Sequence, residues 1–173
     1  MHPTPTEATP AHATPATATP DPPELAPTTP GYYLRARPQG FAAHFCASPQ
    51  NLCGVRASTR SALLAYGMGP DVVDAVQLVV SELVGNSVRA CGDHVPLVVE
   101  VYVTLYGIAV NVHDPNPGVL PRRRATPLDS ADAESGRGLG LVDLLAPDWQ
   151  VRRSAIGKQV RCRVPVPARP MLN

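Results

Sequence analysis

Lysine is nearly missing from this chain: Lys158 stands alone among 15 basic residues, the rest being arginine. Isoleucine occurs only as Ile108 and Ile156. Such a bias reads as codon pressure in a GC-rich genome, so arginine abundance by itself carries no chemical argument. Aromatic residues make up 5% of the chain, which leaves Val, Leu and Ala to build the core. Excess charge of either sign is also lacking. A formal net charge of +1 gives no electrostatic footprint for nucleic acid or for an anionic membrane surface. The four cysteines, Cys46, Cys53, Cys91 and Cys162, have no CxxC spacing and no paired histidine pattern. That argues against zinc ligation and against a disulfide framework, and they read as small buried hydrophobes in a reduced cytosol. No apolar run approaches the roughly 20 residues needed to span a bilayer. The N-terminus has neither a basic n-region nor an apolar h-region. A cytoplasmic protein without a membrane segment is the expectation.

What is present is a chain of 173 residues, long enough for one domain with a substantial core. Residues 1–31 are almost entirely Pro, Thr and Ala and bury little, so an extended, disordered, locally polyproline-like tail is expected. The folded domain is expected over residues 32–167, with 168–173 as a C-terminal tail. FAAHF (Phe41 to Phe45) reads as a short first strand. Ser48 followed by Pro49 starts a helix carrying Leu52, Val55, Leu63 and Leu64 and ending near Gly67. Pro70-Asp71 opens a second, with Val72, Val73, Val76, Val79, Val80, Leu83, Val84 and Val88 on its apolar surface and a stop near Gly92. Leu97 to Leu105 and Gly107 to Asp114 form a hairpin. Pro115 to Ser135 has no periodicity and reads as a lid or a disordered insert. A short helix from Leu139 to Leu145 and a second hairpin about Ala155 to Lys158 complete the order β-α-α-β-β-lid-α-β-β. That order implies an α+β two-layer sandwich with helices on one face of a mixed, mostly antiparallel sheet.

Three segments carry chemistry. In SELVGNSVRA, Glu82 and Asn86 stand one helical turn apart and project from one face. Asparagine is a mediocre helix former, and mid-helix its amide oxygen suits Mg²⁺, leaving Glu82 free to act as a base on a hydroxyl or water. In isolation Glu82 is as readily a solvated glutamate. Asp114 ends the strand IAVNVHD, where it either starts a turn or accepts a hydrogen bond from the exocyclic amine of adenine, with Gly118 letting backbone approach the ring. The run Gly136-Arg137-Gly138-Leu139-Gly140 leads into a helix, so its backbone N–H groups can converge on phosphate. It is neither a Walker A motif nor a Rossmann fingerprint, and alone it is a weak signal. Arg122-Arg123-Arg124 is more simply a solvated run than a phosphate-reaching one. His44, His94 and His113 have no mutual spacing that assigns them a role.

In this order, ELVGNSVRA, VHDPNPG and GRGLGLV resemble the motifs of the GHKL (Bergerat-fold) ATP-binding proteins. Within that superfamily they are most similar to the stand-alone histidine kinase-like ATPase domains of anti-sigma factors, over about residues 40–165. The resemblance implies ATP with Mg²⁺ held between the helices, the sheet and a mobile lid. Asn86 matches the metal-binding asparagine, Glu82 the general base and Asp114 the adenine-reading aspartate. Gly136, Gly138 and Gly140 match the phosphate-loop glycines, with Arg137 and Leu139 between them, and Arg89, Gly118 and Gln159 are further nucleotide contacts. The implied activity is a kinase that transfers the γ-phosphate to a serine on an anti-sigma-factor antagonist. Partners would be a sigma factor or such an antagonist, with a homodimer possible. Two departures stand out: Asp114-Pro115-Asn116-Pro117-Gly118 replaces DxGxG, and Gly157-Lys158-Gln159-Val160-Arg161 replaces GKTVW. Arg89-Ala90-Cys91 stands for a more usual Arg-His-Ala. These leave open a non-catalytic switch whose partner affinity follows nucleotide, or an ATPase without a protein substrate.

Overall fold

In the computed structural model, which describes residues 31–118 and 137–166, local signals set the elements before packing does. The Ser48 hydroxyl accepts a hydrogen bond from the Asn51 N–H at 3.1 Å, and Pro49 takes the first helical position, where its missing donor costs nothing. Helix α1 (Pro49–Ala65) follows and buries Val55, Ser58, Thr59, Ala62 and Leu63. Leu64, expected on the same face, is exposed. Gly69 and Pro70 start α2 (Pro70–Cys91), and Val73, Val76, Val80, Leu83, Val84 and Ser87 form its buried stripe at helical spacing.

The strands are β1 (Tyr32–Arg37), β2 (Gly40–Cys46), β3 (Pro96–Thr104), β4 (Gly107–Asp114), β5 (Gln150–Ser154) and β6 (Gly157–Val164), with α3 (Arg137–Leu145) between β4 and β5. They form one sheet in the order β1-β2-β3-β4-β6-β5. Every pairing among the described residues is antiparallel, so no parallel pair contributes to a mixed sheet. Three of the pairings, β1–β2, β3–β4 and β5–β6, are hairpins, and two helices separate β2 from β3, so three reversals of the chain return β3 antiparallel to β2.

Strand β1 is absent from the sequence expectation. YYLRAR alternates arginine with Tyr32, Leu34 and Ala36 and lies at the sheet edge, where short basic strands are favoured because they discourage further pairing. The hairpin β3–β4 turns through Leu105-Tyr106, and Gly107 is required there: at φ 126° a Cβ would lie 2.3 Å from the Val164 carbonyl oxygen.

Strand alternation sorts the two faces. Phe41, Ala43 and Phe45 of β2, Leu97, Val99 and Val101 of β3, Ile108, Val110 and Val112 of β4, and Val160, Cys162 and Val164 of β6 belong with α1 and α2 to one buried core. Asp114 and Lys158 continue the same parity at the ends of β4 and β6, and both are buried. The cysteines divide accordingly. Cys162 is buried and Cys91 half-buried, but Cys46 and Cys53 are exposed, which corrects the expectation that all four sit inside. Among the described residues no helix is long and apolar enough to cross a membrane.

Candidate functional site

The C-terminal half of α2 lies over the ends of β4 and β6, and between them is a cavity of about 180 Å³. It is lined by Leu83, Asn86, Ser87, Arg89, Ala90, Asp114, Lys158 and Val160. Helical spacing explains who faces it: residues 83, 86, 87 and 90 recur at three and four, the stripe that continues α2's buried face. Glu82 is half-buried one turn before Asn86, does not line the cavity, and makes no hydrogen bond or ion pair among the described residues.

At the base of the cavity is an ion pair that the sequence reading did not assign. Asp114 and Lys158 are direct partners in the β4–β6 register, and Lys158 Nζ donates to Asp114 Oδ1 at 2.7 Å. Only 1% of Asp114 and 3% of Lys158 reach solvent. Lys158 Nζ also donates to the Asn116 carbonyl at 2.8 Å. Oδ1 further accepts from the Asn116 N–H at 3.0 Å and from Cys91 Sγ at 3.7 Å. Oδ2 accepts from the Ser87 hydroxyl at 3.0 Å. Burial first, and the Asp114 carboxylate next, push the Cys91 thiol up from its ordinary range. Gly157 brings Lys158 here. At φ 138° its missing Cβ would stand 2.3 Å from the Asp114 carbonyl oxygen, so only glycine allows the β5–β6 turn to pass that close.

Two signals in the sequence could have found this pair. Lys158 is the single lysine of an arginine-biased chain, and it occupies the apolar parity of β6 with Val160, Cys162 and Val164. A compact ammonium fits a closed site where a planar guanidinium would not. Ser87 could have been found from its position beside Asn86 on α2.

Asn86 lies at the cavity with its amide divided. Its Oδ1 accepts from the guanidinium of the exposed Arg89, while its Nδ2 is buried with no partner. Gly85 lies beneath that arginine, where a Cβ would come within 3.4 Å of Nη1. Gln159 is not part of the site. One residue along from Lys158, alternation turns it to the other sheet face, where Nε2 contacts His113 Nε2 at 2.8 Å. Gln159, expected as an adenine-side contact, does not line the cavity, whereas Lys158 does. Gly118 is exposed and donates to Asn116 Oδ1 at 3.0 Å, outside the cavity lining. Arg137, Gly138, Leu139 and Gly140 form the first turn of α3 rather than a loop before it, and Leu139 packs on the core. Gly136 and residues 119–135 of the expected lid, Arg122 to Arg124 among them, lie outside the described residues, as do residues 1–30 of the expected N-terminal tail and the expected C-terminal tail.

The opposite sheet face holds a polar cluster around Glu100. Arg37 pairs with it, Asn111 Nδ2 donates to it at 2.9 Å, and His113 stands 3.7 Å away. The neighbouring His113 first, then the Asn111 hydrogen bond and the charge of Arg37, outweigh partial burial and hold the Glu100 carboxyl down to about 2.

The residues fit a nucleotide with Mg²⁺ on three counts. The cavity has room for a flat ring between the apolar walls of Leu83 and Val160. A buried carboxylate at its base offers the acceptor that an exocyclic amine needs. The Asn86 amide is not locked, because its nitrogen lacks a partner and its oxygen rests on one exposed arginine. That oxygen can pass to a cation at the cost of about 1 kcal/mol. Among the described residues no cluster of three His, Cys, Asp or Glu side chains could hold a metal alone.

A model of the histidine kinase-like ATPase domain matches residues 45–164, well over half of the chain. No curated protein matches.

Proposed function

This chain belongs to the histidine kinase-like ATPase domain family, and on that premise we propose that it is an anti-sigma-factor-type serine/threonine kinase acting on an antagonist protein. The observation that supports this is the placement of three side chains. Asp114 and Asn86 line one cavity, and Glu82, without a partner among the described residues, stands one helical turn from Asn86. When bound with Mg²⁺, ATP supplies the γ-phosphoryl group and the metal neutralises its charge. The chain's own residues do the rest. Asp114 would accept from the base, the Asn86 amide oxygen would hold the metal, and Glu82 would take the proton of the serine hydroxyl as its oxygen bonds the γ-phosphorus and ADP departs. Catalysis of this kind is mostly positioning, which suits a site built on a rigid helix and two strand ends. A sigma factor or its antagonist is the partner.

A second reading, a switch whose partner affinity follows nucleotide without phosphate transfer, draws on one observation. Arg89 holds the Asn86 oxygen, so metal entry must move an exposed side chain that a partner can touch. Incubating the full chain with γ-labelled ATP and its antagonist separates the two. The kinase reading expects label on a serine or threonine of the antagonist, and Glu82→Gln should bind ATP but lose transfer. Partner binding that responds to nucleotide, with no transfer by the wild-type chain, would instead establish the switch.

A further inference from the structure

The Lys158–Asp114 pair is more than a structural tie, because its hydrogen-bonding capacity is not used up. An ammonium has three donors, and Lys158 spends two, on Asp114 Oδ1 and on the Asn116 carbonyl. A carboxylate oxygen accepts about two hydrogen bonds. Oδ1 is saturated by Lys158, the Asn116 N–H and Cys91, whereas Oδ2 has Ser87 alone. What remains is one donor on Lys158 and one acceptor on Asp114, on neighbouring groups that line the same cavity. The flanking walls, Leu83, Ala90 and Val160, are apolar and offer nothing else to a ring edge. A buried donor that finds no partner when the cavity fills costs about 1–3 kcal/mol or more, so an occupant must satisfy both groups together.

Resting on the nucleotide reading above, we propose that Lys158 is a base-reading residue: it donates to the adenine N1 lone pair while Asp114 Oδ2 accepts from the exocyclic amine beside it. The free donor and acceptor then meet the adjacent acceptor and donor of the adenine edge. Two contacts made by a buried charged pair discriminate more sharply than one, because an occupant lacking either leaves a charge-bearing group unpaired. Lysine at this position thus performs a recognition task for which the sequence offers Gln159, a residue that faces the wrong way.

The test uses the full chain and two nucleotides, Mg²⁺-ATP and its 1-deaza analogue, in which N1 is a C–H and the amine is kept. Calorimetric titration of the wild-type chain should show the analogue binding about tenfold or more weakly, as expected for losing one charge-assisted hydrogen bond. In Lys158→Met, ATP should fall to the analogue's affinity and the ratio between the two should approach one. Equal binding of both nucleotides by the wild-type chain overturns the assignment, whether or not the variant folds. A ratio that persists in Lys158→Met overturns it too, since another group would then read N1. If the wild-type chain binds no ATP at all, the nucleotide reading itself fails and this inference falls with it.

Discussion

Lys158 lies directly opposite Asp114 across strands β4 and β6, its ammonium 2.7 Å from the carboxylate, with both side chains withdrawn from water. Taking two charges out of water is costly, and the pair persists because the two groups bond each other and the Asn116 backbone bonds both, leaving one ammonium donor and one carboxylate acceptor toward the cavity.

Removing one partner should therefore be worse than removing both. Lys158→Met alone leaves a buried carboxylate unpaired, and a loss of about 3–5 kcal/mol is expected. The double variant Asp114→Asn, Lys158→Met should lose clearly less, because no net charge then remains inside. Urea unfolding of the wild type, both single variants and the double variant measures the coupling. Losses that simply add would show that the two charges are not held together in solution.

Arg89 and Asn86 make a second test. The arginine is exposed and its bond to Asn86 Oδ1 is peripheral, so Arg89→Ala should change stability by no more than about 0.5 kcal/mol. It releases the amide oxygen, and the Mg²⁺ concentration giving half-maximal ATP binding should fall about fivefold, the equivalent of one surface hydrogen bond. In Asn86→Ala the dependence on Mg²⁺ should largely disappear. ATP titrations at stepped Mg²⁺ read both effects. An unmoved midpoint in Arg89→Ala would mean that the arginine does not compete with the metal.

Glu100, on the open face of the sheet, gives the chain a pH dependence of known sign. Its folded-state value of about 2 lies below the ordinary 4.5, so the carboxylate's contribution is complete above about pH 4.5 and is lost as pH falls toward 2. Partial solvent exposure keeps that contribution to about 1 kcal/mol. Glu100→Gln should lower the melting temperature by a few degrees near neutral pH, and the gap should close on acidification. Melting curves at about pH 7, 4.5 and 2.5 follow it, and a gap that widens in acid would contradict the assignment.

Legibility in the sequence followed the range of the interactions. Ser48-Pro49 and Pro70-Asp71 mark their helix starts within one turn, and α1 and α2 begin where those signals stand. The hairpins β3–β4 and β5–β6 were legible from apolar alternation around short turns. Strand β1 was not, because YYLRAR alternates over only six residues, with Tyr33 breaking its polar face, and becomes a strand only by pairing with β2. The same limit explains the site. Asn86 and Asp114 were readable from residue type and position, and both line the cavity. The choice between Lys158 and Gln159 was not, since a one-residue difference in strand phase exchanges the two faces of the sheet.

The sequence by itself determined where α1 and α2 begin, where the hairpins β3–β4 and β5–β6 turn, and which three segments resemble a nucleotide-binding family. These are consequences of helical and strand periodicity and of local capping, all decided over a few residues. Only the tertiary structure decided that Lys158, 44 residues along the chain from Asp114, neutralises it inside the cavity, and that Arg89 holds the Asn86 oxygen. The first depends on β6 pairing with β4 rather than with a nearer strand. The second depends on rotamers that a linear pattern does not encode. Charge pairing in a closed site is a property of distance and burial, and both exist only once the sheet and α2 have come together.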